Sequence, residues 1–132
     1  MERKAHVPRI LVIDDEAPVR TLLQTVLERA GYEVSTASDG DKGMRNYKND
    51  PADLIITDIV MPEKEGIELI RELKAVQPDV KIFAISGGGR VAANPYLMLA
   101  TKLGAMRTFA KPVKPDVLLS AVEEVVGAAT VM

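Results

Sequence analysis

Residues 53 to 58 read Asp53-Leu54-Ile55-Ile56-Thr57-Asp58, in which three adjacent apolar side chains are followed by a threonine and an aspartate. A strand with one face in water alternates apolar and polar residues, whereas a strand covered by helices on both faces is apolar at successive positions. Four other short runs share this character and predict strands. The five predicted strands are Arg9 to Ile13, Tyr32 to Thr36, Asp53 to Thr57, Val80 to Ile85 and Met106 to Ala110.

The segments between these runs carry the apolar spacing of helices. Val19, Leu22, Leu23, Val26 and Leu27 form one stripe, and Gly31 ends that helix. Similar stripes predict helices within residues 67–76 and 118–125, with a weaker one over 39–48. A further helix is predicted at Pro95 to Leu103. Five repeats of strand and helix predict a doubly wound α/β fold, a five-stranded parallel sheet in the flavodoxin-like order 2-1-3-4-5.

The composition describes one ordinary domain. The 132 residues carry 17 basic and 19 acidic side chains, a net charge of −2, and no cysteine. A chain of 14.3 kDa can bury one hydrophobic core, so we expect a single domain over residues 1–132, with its core at about 9–126 and no output domain.

The charge balance predicts no direct contact with nucleic acid or membrane. Absent cysteines fit a reducing compartment, and the charged start is no signal peptide, so we expect a cytoplasmic protein.

Five polar side chains directly follow predicted strands. They are Asp14, Asp15, Asp58, Ser86 and Lys111. Ligands of open α/β sheets bind at the carboxyl ends of the strands, where the strand order reverses, so these side chains should meet there. At about 4 Å and an effective dielectric constant near 20, two carboxylates repel by roughly 4 kcal/mol. The three acids therefore need a cation or shared protons, and an all-oxygen acidic site suits Mg²⁺.

The same set of side chains could carry phosphoryl transfer. A carboxylate can act as a nucleophile and form an acyl phosphate when a metal and a cationic group neutralise the phosphoryl oxygens. Lys111 and the hydroxyl of Ser86 are the candidate donors to those oxygens. Such transfer depends mostly on positioning and charge neutralisation. This chemistry alone leaves open which aspartate attacks.

From about Arg9 to Val126 the sequence resembles the receiver domain of two-component response regulators. The matching residues are Ile13-Asp14-Asp15-Glu16, Asp58-Ile59-Val60-Met61-Pro62 with Gly66 after it, Ser86, and Lys111-Pro112. The resemblance implies a receiver fold with Asp58 as phosphoacceptor, and Mg²⁺ held by Asp14, Asp15, Asp58 and the Val60 carbonyl. It also implies that Ser86 and Lys111 contact the phosphoryl oxygens and that the Lys111-Pro112 peptide is cis.

The resemblance further implies a stand-alone, chemotaxis-regulator-like switch. A sensor histidine kinase or phosphotransfer protein would donate the phosphoryl group, because the only histidine, His6, precedes the first predicted strand. The protein would catalyse only its own phosphorylation and dephosphorylation, and would otherwise be no enzyme. It would signal by conformational change to a downstream protein, as a monomer or weak homodimer. By analogy, the output surface comprises the loop after Ser86, the helix from Pro95, the last strand and the last helix.

The sequence departs from the family pattern at two places. Thr108 stands where the family usually has an aromatic switch residue, and by strand alternation Phe109 should face the other side of the sheet. The segment Gly87-Gly88-Gly89-Arg90 delays the start of the next helix. We therefore predict that phosphorylation orders this loop instead of moving an aromatic ring, with altered amide exchange in the loop as the measurement.

Two other kinds of function stay open. A small Mg²⁺-dependent phosphohydrolase with an aspartyl nucleophile would need a second acid two residues after Asp58, where the chain has Val60. A receiver-like interaction module that is never phosphorylated would have no need for the complete set of acids, hydroxyl and lysine. Each residue alone also has a structural explanation, such as Asp14 and Asp15 next to a helix N-terminus. That explanation would have to hold for all five at one end of one sheet.

Overall fold

A computed structural model describes residues 7–59, 66–87 and 95–129, except for the side chains of residues 95–97. Strands and helices alternate along this part of the chain. The strands are β1 (Arg9–Ile13), β2 (Glu33–Ala37), β3 (Leu54–Asp58), β4 (Ile82–Ser86) and β5 (Arg107–Ala110). The helices are α1 (Ala17–Arg29), α2 (Gly40–Asn49), α3 (Gly66–Val76), α4 (Pro95–Leu103) and α5 (Pro115–Val126). Within the described ranges, none of these helices has the length and hydropathy of a membrane span.

The strands form one parallel sheet in the order β2-β1-β3-β4-β5, which confirms the predicted topology. The order reverses between β1 and β3, where Ile10 pairs with Leu54 and Ile13 with Thr57. The bounds of β1 and α4 agree with the sequence, whereas the other strands begin one or two residues later than predicted. Asp58 and Ser86, predicted to follow strands, are therefore the last residues of β3 and β4.

Successive side chains of the central strands point into two separate cores. Leu11 and Ile55 pack on the side of α2, α3 and α4, whereas Ile10 and Ile56 pack on the side of α1 and α5. Every residue of β3 and β4 is buried, as predicted for a sheet with both faces covered. The site at the strand ends therefore stands on a rigid, close-packed base.

The start of α2 supports a first testable prediction. Asp39 caps this helix, because its Oδ1 accepts a hydrogen bond of 2.8 Å from the backbone N–H of Lys42. Gly40 and Gly43 weaken the helix that follows, which makes the cap more important. We expect Asp39→Ala to lower the free energy of unfolding in urea by about 1 kcal/mol. Asp39→Asn keeps an acceptor and should stay near the wild-type value; an equal loss in both variants would contradict the capping role.

Candidate functional site

The predicted acidic cluster lies at the carboxyl ends of two neighbouring strands. Asp14 directly follows β1 and is fully buried, and Asp58 ends β3 with only 4% of its surface exposed. Asp15 lies beside them and is exposed. Carboxylate oxygens of all three residues come within 4.8 Å of one another. The convergence of these acids, predicted from strand ends alone, is thus observed.

Backbone contacts hold Asp14 in place from several sides. Its Oδ1 accepts a hydrogen bond of 2.8 Å from the N–H of Glu16, and its own N–H donates to the carbonyl of Ala37 at 3.2 Å. The guanidinium of Arg20, one turn into α1, donates to the Asp14 carbonyl at 2.8 Å. The turn from β1 into α1 therefore fixes the orientation of this carboxylate without using its second oxygen.

Asp58 is positioned by the close approach of α3 to the end of β3. The N–H of Ile59 donates to the carbonyl of Ile85 at 3.0 Å, and the N–H of Gly66 donates to the carbonyl of Ile59 at 3.1 Å. A Cβ at residue 66 would lie 2.4 Å from both the Asp58 carbonyl oxygen and the Ile59 Cα. Only glycine fits there, because the atoms it touches belong to the backbone.

The ammonium of Lys111 lies between three carboxylates. Its Nζ is 2.9 Å from Oδ2 of Asp14, 3.2 Å from Oδ2 of Asp58 and 2.9 Å from Oε1 of Glu16. The backbone N–H of Lys111 donates to the carbonyl of Ser86 at 2.9 Å, which joins the ends of β4 and β5. The Lys111-Pro112 peptide bond is cis, as the family resemblance implied. One ammonium therefore neutralises part of an excess of negative charge.

The pKa of Lys111 is set by the neighbouring carboxylates. Burial on its own lowers the pKa of Lys111, but contacts with Glu16 and Asp14 and the charge of Asp58 outweigh burial, so the pKa lies above that of an ordinary lysine. In return, the hydrogen bond from Lys111 and its charge hold the pKa of Glu16 below the usual value, against a small opposing effect of burial. Lys111 is consequently a permanent cation at neutral pH.

The donor set fits a magnesium ion. Oδ2 of Asp14 is buried and accepts no aligned hydrogen bond from the residues that the structure describes, although the Lys111 ammonium is close. Three converging carboxylates retain excess negative charge after pairing with one ammonium. Hard oxygen ligands of this kind are the ones Mg²⁺ prefers. The Val60 carbonyl, the fourth ligand implied by the resemblance, lies outside the described residues.

The other residues singled out in the sequence lie on β4, on β5 and in the loop after β4. Ser86 is 1% exposed at the end of β4, next to the backbone of Lys111. Thr108 pairs with Ala84 on the α4 side of the sheet, whereas Phe109 packs on the other side, with its ring centroid 5.4 Å from that of Phe83. The predicted opposite orientation of Thr108 and Phe109 is confirmed. Residues 88–90 of the glycine-rich loop are not among the described residues, so the ordering of that loop stays a prediction.

Two residues of the site have no role in the sequence interpretation. Glu16 contacts Lys111, and Arg20 binds the Asp14 carbonyl. A third acid directly after Asp14 and Asp15 was the available signal for Glu16, but an acid there is equally expected to favour the start of α1. No signal pointed to Arg20, because its contact is with a backbone oxygen.

An open parallel sheet in the order β2-β1-β3-β4-β5, with an acidic cluster where the strand order reverses, defines a flavodoxin-like α/β domain. The family model described as the response regulator receiver domain matches residues 10–123. The chain therefore belongs to the family of response regulator receiver domains, which are signalling modules of two-component systems.

Relatives and solved structures agree with this assignment. The chain is 35% identical over 118 residues to the chemotaxis protein CheY of Thermotoga maritima, covering 89% of this chain and 96% of that protein. It is 42% identical over 87 residues to the response regulator receiver protein CpdR of Brucella abortus, covering 66% of this chain and 72% of the relative. A receiver domain structure from Clostridium thermocellum superposes with a TM-score of 0.83 at 33% identity, over 91% of this chain and 94% of the other.

Proposed function

We propose that this protein is a phosphorelay response regulator that accepts a phosphoryl group on Asp58 in a Mg²⁺-dependent reaction. The observation that carries the proposal is the Asp58 carboxylate, which lies at a strand end 3.2 Å from the Lys111 ammonium and beside Asp14 and Asp15. The donor would be a sensor histidine kinase or a phosphotransfer protein. The family assignment supports this choice of donor class, since receiver domains act with histidine kinases.

The transfer step needs a nucleophile and neutral surroundings for the phosphoryl oxygens. A carboxylate oxygen of Asp58 forms the new bond to phosphorus while the bond between phosphorus and the donor's imidazole nitrogen breaks, and the imidazole leaves. Lys111 holds positive charge beside Asp58, and the Ser86 hydroxyl is our candidate second donor to the phosphoryl oxygens. Both groups stand on strand ends, which keeps their positions fixed during the reaction.

The metal contributes charge that the protein lacks. Asp14, Asp15, Asp58 and the Val60 carbonyl are the residues we assign to it. A bound Mg²⁺ supplies the positive charge that offsets the clustered carboxylates and the incoming phosphoryl oxygens. The turn that orients Asp14 holds its Oδ2 at the site, 2.9 Å from the Lys111 ammonium.

The direct test is the intact mass of the protein after exposure to acetyl phosphate, with and without Mg²⁺. We expect one phosphoryl adduct per chain with Mg²⁺, and a yield at least about tenfold lower after chelation, because the acids then repel the anionic donor. Peptide mapping should place the adduct on the segment that contains β3. Equal labelling with and without Mg²⁺ would contradict the proposed reaction.

The output surface that we propose runs over α4, β5 and α5. Four large apolar side chains on or next to these elements are at least 39% exposed: Met98, Leu99, Met106 and Val117. Large exposed apolar side chains on neighbouring elements are typical of protein contact surfaces. We assign this surface to the downstream protein or to a second copy of the chain.

The two other candidate functions predict different measurements. A phosphohydrolase would turn over an external phosphomonoester many times per chain. An interaction module without phosphorylation would give no adduct and would show no Mg²⁺ binding. Nothing in the geometry of the described residues favours either candidate over the aspartyl switch, since Lys111 contacts both Asp14 and Asp58.

A further inference from the structure

The Glu16 side chain bonds to a distant lysine and does not cap its own helix. It occupies the N-cap position of α1, where a side-chain acceptor commonly bonds a free backbone N–H of the first turn. Its side chain makes no such bond, and there is no acidic residue in the first turn that does so instead. Its Oε1 accepts a hydrogen bond of 2.9 Å from Nζ of Lys111, a residue 95 positions away in the sequence. The carboxylate thus contacts the site at the expense of capping its own helix.

The Lys111 ammonium has three N–H donors and three carboxylate neighbours. Two of those neighbours, Asp14 and Asp58, have side chains that are 1% and 5% exposed and stand at the ends of packed strands. The Glu16 side chain is 57% exposed. A phosphoryl oxygen that binds Lys111 must replace one of these contacts, and the exposed, flexible side chain is the one that can leave.

We propose that Glu16 is a positioning residue that holds the Lys111 ammonium in the unphosphorylated protein and occupies the place of a phosphoryl oxygen. This inference rests on the proposed function, since it assigns Lys111 to the phosphoryl group. Before phosphorylation, Glu16 keeps the ammonium at the entrance of the site. On phosphorylation, the phosphoryl oxygen takes over the Lys111 N–H and Glu16 is released into solvent.

The proposal predicts that Glu16 slows phosphorylation for two reasons. Glu16 competes with the incoming donor for Lys111, and its negative charge repels that donor, so removing the carboxylate should speed phosphorylation. Contacts between exposed charges change equilibria by a factor of about two to five. We therefore expect Glu16→Gln to be phosphorylated by acetyl phosphate about two- to fivefold faster than the wild type, with Mg²⁺ saturating for each protein.

The Glu16→Asp variant distinguishes the effect of the Lys111 contact from the effect of the negative charge at residue 16. Glu16→Asp keeps the negative charge but is one methylene shorter, so it loses the Lys111 contact and is well suited to cap α1. We expect Glu16→Asp to be phosphorylated about twofold faster than the wild type, without any loss in its free energy of unfolding. Glu68→Gln is the matched control, because Glu68 is exposed in the first turn of α3 at the same end of the sheet and should leave the rate unchanged.

The contact itself can be measured without phosphorylation. In the metal-free protein, a held ammonium exchanges its protons with water slowly, so the Lys111 side-chain signal should be visible by nitrogen-15 NMR at low temperature. We expect this exchange to be at least about twofold faster in Glu16→Gln and Glu16→Asp, and unchanged in Glu68→Gln, because only the first two lose the exposed Lys111 contact.

The outcomes distinguish this inference from the proposed function. Unchanged phosphorylation rates and unchanged ammonium exchange in both Glu16 variants would overturn the positioning role while leaving Asp58 as the acceptor. A Glu16→Asp variant that matches the wild type in both measurements would show that only the charge matters, which also overturns it. If the wild type accepts no phosphoryl group under any condition, the proposed function fails and the positioning role fails with it.

Discussion

Replacing Asp58 by asparagine is expected to lower the yield of the phosphoryl adduct by more than about 100-fold, because the amide supplies no nucleophilic carboxylate. Asp58 is almost fully buried at the end of β3, where its Oδ2 lies 3.2 Å from the Lys111 ammonium. The measurement is intact mass after incubation with acetyl phosphate and Mg²⁺. An adduct of undiminished yield would move the acceptor to another residue.

Two controls keep this result interpretable. Asp79→Asn removes a carboxylate from the exposed turn between α3 and β4, at the opposite end of the sheet, and should be labelled like the wild type. Asp58→Asn itself should unfold in urea at an equal or higher midpoint in the absence of metal. Three carboxylates crowd one ammonium there, and removing one of them relieves like-charge repulsion. A loss of adduct in a folded Asp58→Asn variant then shows that the carboxylate itself is needed for phosphorylation.

The second large effect is expected at Gly66. Gly66→Ala should lower the free energy of unfolding by about 2–3 kcal/mol, because the new Cβ would lie 2.4 Å from backbone atoms of Asp58 and Ile59. Backbone atoms cannot rotate away as a side chain can, so α3 must shift relative to β3. The same shift moves the Asp58 carboxylate, our proposed acceptor, and we expect slower phosphorylation in the fraction that stays folded. Urea denaturation and the acetyl phosphate rate are the two measurements.

Gly87→Ala is the matched control for this substitution. Of the described residues, a Cβ at residue 87 would meet the Lys111 side chain alone, with Cδ at 3.4 Å and Nζ at 3.9 Å, which are ordinary van der Waals contacts. We expect its free energy of unfolding to stay within about 0.5 kcal/mol of the wild-type value. Equal stability of the two variants would show that the close approach of α3 to β3 can relax at little cost.

The fold was predictable because its signals are redundant. Apolar runs, helical stripes and end signals such as Gly31 and Pro95 all support one alternation of strand and helix. The strand ends also located Asp14, Asp58 and Lys111, since parallel strands bring their carboxyl ends to the same edge. The bounds of single strands were less accurate by one or two residues, because side-chain patterns do not show at which residue the backbone pairing of a strand begins or ends.

The unpredicted features depend on contacts between distant residues. The pairing of Glu16 with Lys111 requires the relative placement of two loops, which no local pattern encodes. Met98 belongs to a predicted helix and Met106 to a predicted strand, yet the two side chains are 56% and 50% exposed. Helical spacing shows which residues share a face, but the position of the next element decides whether that face is covered.

The Lys111 contacts also couple signalling to the integrity of the whole molecule. Lys111 meets Asp58 across 53 residues and Glu16 across 95, so no fragment or half-folded chain can assemble the site. Under the proposed function, a sensor could therefore transfer its phosphoryl group only to completely folded copies of this protein. We then expect every phosphorylated molecule to be a folded one, and heat or mutation to abolish phosphorylation at the same point at which the domain unfolds.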